Sequence, residues 1–243
     1  MQDLRYVHGP QSCRKCFAGN SSELRLGDWR LVNNPGYYGS VAPEVLVLGF
    51  SKGATQNRAA DQGNFDRVAF AGARHRLQEI LKVLRVMPPN RSIDQLMTSS
   101  EMTFGVASLV RCSFSKLKDG AWKTSGDVIP TSFRGVDTMA IINTCAEQHL
   151  GSLPSGVKLV VLLGTDDRYI ENTRKLIQKL HSDWESINPV AFKAGGALWV
   201  YATHPSPGNG YFNAWVKGPA DDKSGSKREM VLQAMKQCNW VFE

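Results

Sequence analysis

The sequence predicts an α/β fold: a single domain over residues 1–243, in three layers α/β/α, around a central, mainly parallel, four-stranded sheet. Apolar runs occupy residues 45–50 (VLVLGF), 104–110 (FGVASLV), 158–163 (KLVVLL) and 197–203 (ALWVYAT). They are short, nearly uninterrupted and rich in β-formers, as strands covered on both faces must be. Segments of helical period separate them, so strands alternate with helices, the pattern of βαβ units. A chain of 243 residues also suits one sizeable α/β domain with a real core.

The elements follow in order. After the first strand, ARHRLQEILKVLR places Leu77, Ile80, Leu81 and Leu84 on one stripe, a helix that buries one face. VDTMAIINTCAEQHL forms the helix after the second strand. RYIENTRKLIQKL forms the one after the third, with Thr165 and Asp166 as its caps. KREMVLQAMKQC closes the chain as a last helix. Residues 113–136, polar and turn-rich, and 218–227, GPADDKSGSK, read as exposed insertions, the latter a mobile loop. The start, Met1-Gln2-Asp3-Leu4-Arg5, is polar. No apolar run approaches the roughly 18–20 residues that span a bilayer, so a cytoplasmic protein away from membranes is expected.

In an open parallel sheet, ligands bind beyond the carboxyl ends of the strands. The fourth strand ends there in His204-Pro205-Ser206-Pro207, an imidazole fixed between turn-formers. His204 therefore stands where chemistry is expected. The formal net charge of +7 favours a polyanionic partner, most simply nucleic acid, and basic residues recur at Arg58, Arg67, Arg74, Arg76, Lys116, Lys118, Lys123 and Arg134.

Five cysteines in a cytosolic chain point to metal or to core thiols rather than to disulfides. Cys13 and Cys16 form a C-x2-C pair, Cys112 follows the second strand, and Cys145 lies on the next helix. Together they suit a four-thiolate site for zinc or an iron–sulfur cluster, between which the spacing does not choose. Cys112 and Cys145 as buried core thiols are the alternative, and Cys238 reads as one.

These residues resemble the uracil-DNA glycosylase superfamily, most closely its iron–sulfur branch of bacteria and archaea. Five features match in order over residues 10–215: the C-x2-C pair, VLVLGFSKG, VAFAGARHRLQEIL, ASLVRC and HPSPGNG. The resemblance implies a 4Fe–4S cluster on Cys13, Cys16, Cys112 and Cys145, with zinc as the other occupant. It implies that Phe70 stacks on the extruded base and that His204 hydrogen-bonds the departing uracil. Gly49, Phe50 and Ser108 fall on the remaining base-binding positions. Ser206, Gly53 and Asn209 fall on the DNA-contacting turns, and Tyr211 on the loop that penetrates the duplex. DNA is the implied partner and a monomer the implied state.

Two positions depart from the pattern. Phe50 stands where the family has a water-positioning acid, and Ser108 where it has a base-reading asparagine. Serine offers one hydrogen bond to the base edge where asparagine offers two, so discrimination from cytosine weakens. The loop ATQNRAADQGNFD carries Gln56, Asn57, Asp61 and Asp66, and Asp61 or Asp66 is the candidate replacement acid. The expectation is a monofunctional DNA glycosylase excising uracil or another deaminated or damaged base. A catalytically weak nucleic-acid-binding relative with a structural metal cluster is the alternative. A zinc-stabilised α/β hydrolase of small nucleotides is the third reading.

Overall fold

A computed structural model of the chain describes residues 4–60, 63–126 and 128–240. The four apolar runs form the parallel middle of its main sheet: β5 (Val45–Gly49), β6 (Phe104–Ser108), β9 (Leu159–Leu163) and β12 (Ala197–Ala202). They lie in the order β6-β5-β9-β12. Every residue of β5, β9 and β12 is buried, which is why these strands carry no polar alternation.

The expected four-stranded sheet is corrected. The main sheet has eight strands and is mixed. On the β6 edge it gains β4 (Gly36–Gly39) and β1 (Gly9–Pro10), both antiparallel. On the β12 edge it gains β11 (Ala191–Ala194) and β10 (Glu185–Asn188), also antiparallel. A second, four-stranded antiparallel sheet has the order β2 (Glu23–Leu26), β3 (Trp29–Val32), β7 (Ser113–Lys118), β8 (Ala121–Lys123).

The presumed insertion at 113–136 is likewise corrected, because β7 and β8 belong to this second sheet and the short helix α3 (Val128–Ser132) follows them. Phe114 is fully buried and packs on Trp29 at 5.0 Å between ring centroids, so this sheet shares the core. Nor is 218–227 a free loop. Its second half is already helix, since α7 (Lys223–Gln237) starts where the Asp222 carboxylate accepts from the backbone N–H groups of Ser224 and Gly225.

The other helices are α1 (Ala54–Ala60), α2 (Arg74–Val83), α4 (Val136–Leu150), α5 (Asp167–Leu180) and α6 (Phe212–Lys217). Asp166 caps α5 by accepting from the N–H groups of Arg168 and Tyr169, as its sequence indicates. The chain leaves β5 toward β6 in one direction and returns over β5 to β9 and β12 in the other. Right-handed crossovers then put α2 on one face of the sheet and α4 and α5 on the opposite face. In agreement, α4 packs on α5, whereas α2 packs on α6 and α6 on α7. The reversal of direction opens a crevice beyond the carboxyl ends of β5 and β9. Among the described residues no helix is long and apolar enough to cross a membrane.

Candidate active site and cysteine pocket

At the tip of β5, Gly49 pairs in register with Ser108 of β6. A Cβ placed on Gly49 would meet Ser108 Oγ at 3.8 Å and Phe70 Cζ at 3.9 Å. The absence of a side chain thus leaves a small space walled by a hydroxyl and an aromatic edge. Phe70 holds a left-handed backbone, φ 51°, which costs a non-glycine residue roughly 1–3 kcal/mol. Its turn is fastened by Arg74, whose side chain donates to the carbonyls of Ala69 (3.0 Å) and Asp66 and to the Asp94 carboxylate (2.6 Å).

His204 lies just past β12, in the same row of strand ends. Its Nδ1 accepts a hydrogen bond from the Ser206 backbone N–H at 3.1 Å. That bond requires an unprotonated Nδ1, so the ring proton sits on Nε2 and makes it a donor. Burial, with help from the Arg76 charge, pushes the imidazole down to about 4, so it is neutral at pH 7.

The loop carrying His204 is braced on itself. Asn209 Nδ2 donates to Thr203 Oγ1 (2.9 Å) and to the His204 carbonyl (2.7 Å), while Asn209 Oδ1 accepts from the Tyr211 N–H (3.1 Å). Arg76 of α2 adds a clamp: it donates to the Ser206 carbonyl and to the Asn209 carbonyl (3.2 Å) and stacks 3.8 Å over the Phe212 ring. One short helix therefore follows the Phe70 turn and grips the His204 loop.

The remaining expected site residues divide. Phe50 does not face the pocket. Strand alternation turns it to an aromatic cluster with Phe133 (5.8 Å), Phe114 (6.4 Å) and Tyr169 (6.4 Å). The Asn209 side chain is spent inside its own loop, and the Gly53 N–H donates to Gln56 Oε1 at 3.0 Å. Tyr211 is 72% exposed, whereas its neighbour Phe212 is buried. Asp61 lies outside the described residues. Asp66, 47% exposed in its side chain, accepts from His8 Nε2 at 2.9 Å, and His8 Nδ1 in turn accepts from the Gly39 N–H at 3.1 Å.

The sequence reading missed Arg76 as a clamp, and it missed Lys52. Lys52 is buried, donates to the Asn34 carbonyl, and is lowered to about 8 by burial. Neither residue carries a motif, since each acts through contacts distant in sequence.

Cys13, Cys16, Cys112 and Cys145 all line one pocket, closed by Phe17, Leu31, Arg111 and His149 among others. Cys13 and Cys16 come from the segment between β1 and β2, Cys112 from the β6–β7 connection, and Cys145 from α4. Burial chiefly, and then repulsion from the neighbouring sulfurs, raises the thiols of Cys16, Cys112 and Cys145, the last two to about 12. The Arg111 backbone N–H donates to Cys145 Sγ at 3.3 Å. Among the described residues no three His, Cys, Asp or Glu side chains converge as they would on a single ion. Cys238 is a partly buried core thiol at the end of α7.

No family model and no curated protein sequence matches this chain.

Proposed function

We propose that the protein is a monofunctional DNA glycosylase that hydrolyses the N-glycosidic bond of uracil or another deaminated or damaged base. The observation that carries this reading is His204: neutral, proton on Nε2, and braced so that the donor needs no reorganisation. Breaking the bond between sugar C1′ and the base nitrogen leaves the electron pair on the base. A fixed donor aimed at the oxygen where that charge gathers stabilises the transition state more than the ground state. Water then adds to the cationic C1′ and loses a proton, leaving an abasic site.

The other roles follow from position. The base is extruded from the stack, at a cost of a few kcal/mol, and lies against Phe70 with Ser108 at its edge. Exposed Tyr211 fills the gap in the duplex, and Ser206 at the loop and Gly53 at the β5 turn lie toward the phosphates. Asp66 is the candidate acid for the water, oriented by His8.

The four cysteines hold a 4Fe–4S cluster, with zinc as the second choice. Four sulfurs on one zinc, each about 2.3 Å from it, would crowd to about 4 Å of one another. Four thiols around one pocket suit a polynuclear cluster, whose ligands attach to different irons. Such a centre ties the N-terminal segment to α4 and takes no part in bond cleavage. The protein acts on DNA as a cytoplasmic monomer.

A second reading, a nucleic-acid-binding relative with little or no catalysis, draws on Phe50, an aromatic residue where the resembled family has its acid. The test is base release by anaerobically purified protein from oligonucleotides carrying uracil, hypoxanthine, xanthine or hydroxymethyluracil, single-stranded and paired. Release from any of them supports the enzyme and names its substrate. DNA binding with no release from all of them supports the second reading.

A further inference from the structure

Arg111 is 1% exposed, and none of its three guanidinium nitrogens has a hydrogen-bond partner among the described residues. The guanidinium lies 5.8 Å from the Tyr6 ring centroid and 5.5 Å from that of Tyr37. Ring faces attract a desolvated cation, but more weakly than burial of an unpaired ion penalises it. A neighbouring anion would offset that penalty.

Among the described residues, Arg111 lines the cysteine pocket, and its guanidinium lies within electrostatic range of Cys145. Arg111 precedes Cys112 in the chain and its own N–H reaches Cys145 Sγ. Four thiolates around a dication, whether zinc or an oxidised four-iron cluster, leave a net double negative charge. Lys52 is a second buried cation within electrostatic range of Cys112. We infer that Arg111 is the buried charge partner of a metal–thiolate centre at Cys13, Cys16, Cys112 and Cys145, offsetting its negative charge where water cannot. This role rests on the metal site in the reading above and not on glycosylase chemistry.

The test uses the full chain, purified anaerobically as wild type, Arg111→Met, Arg111→Gln and Arg111→Lys. Iron, zinc and sulfide are measured per chain, then the rate of metal transfer to excess chelator. Both neutral variants should lose metal about 10- to 100-fold faster, the range found when an outer partner of a metal site is removed. Lys, which keeps the charge, should stay near the wild-type rate. With iron bound, the neutral variants also shift the reduction potential to more negative values, because the reduced cluster carries more negative charge. A folded neutral variant with wild-type release rate and potential overturns the inference; where Met does not fold, Gln decides. Equal acceleration in Lys and the neutral variants overturns it too, since the role would then be one of shape. A wild-type chain holding neither iron nor zinc overturns the metal reading and Arg111's role with it. Base release from the same preparation then tells whether the glycosylase reading stands without a metal.

Discussion

His204 is neutral because it is half-buried beside Arg76, and its Nδ1 already accepts a hydrogen bond from the Ser206 N–H. Its ordinary value of 6.5 falls to about 4 in the folded chain. Between those two pH values the unfolded chain binds a proton that the folded chain does not, so stability declines as pH falls from 6.5 toward 4. An NMR titration of the ring should find no protonation above pH 5, and a His204→Ala variant should lose that part of the acid sensitivity. Base release should be flat from pH 7 to 5 and fall near 4, where a second ring proton would confront the Ser206 N–H. At Ser108 the wall of the pocket presents one hydroxyl. Ser108→Asn restores a two-bond edge, with an expected gain of about tenfold in kcat/KM on uracil, as one added hydrogen bond gives. Steady-state assays on uracil and cytosine substrates measure it.

At the scale of elements, α2 joins the two halves of the site. Arg76→Met should lower kcat by about tenfold, the cost of a hydrogen bond or two, and move the acid limb of the pH profile upward as the positive neighbour of His204 is lost. Arg76→Lys keeps the charge but not the fork across two carbonyls, so it should restore the acid limb and only part of kcat. The four parallel strands were legible because burial on both faces demands continuous apolar runs. The antiparallel strands were not, since short half-exposed strands such as ELRL and AWK carry too few apolar residues to stand out. Their turns held the readable signal. Asp119-Gly120 joins β7 to β8 with φ of 52° and 72°, and Gly195-Gly196 joins β11 to β12 with φ of 58° and 74°. Both are two-residue hairpin turns of the type that Asp-Gly and Gly-Gly favour. Reading 113–136 as an insertion overlooked the first of them. His204, Phe70 and the cysteines stand out in the sequence by spacing and order, and the structure sets His204 past β12, Phe70 beside Gly49 and four of the cysteines around one pocket. Arg76, Lys52 and Arg111 were not, because a charge buried by distant segments leaves no local pattern.

At the scale of the whole molecule, the N-terminal segment lies against the β6–β7 connection and α4 around the cysteine pocket. Close to it, Arg5 donates to the Gln148 carbonyl at 3.0 Å and Tyr6 to that of His149. Between them and β2 the chain is exposed at Arg14 and Lys15. Chelator-stripped protein should therefore be cut by trypsin after Arg14 and Lys15 many times faster than loaded protein, with the rest of the chain intact, as mass spectrometry of the fragments would report. Equal cutting in both states would mean that no metal organises the segment. The proposed reaction turns on His204 as its preorganised donor. Its most direct test is single-turnover release of uracil from DNA by wild type and His204→Ala, read by alkaline cleavage at the abasic site. The account predicts release by wild type and a loss of about 100- to 1,000-fold in the variant, as for removal of one preorganised donor. Equal rates in the two proteins would contradict it.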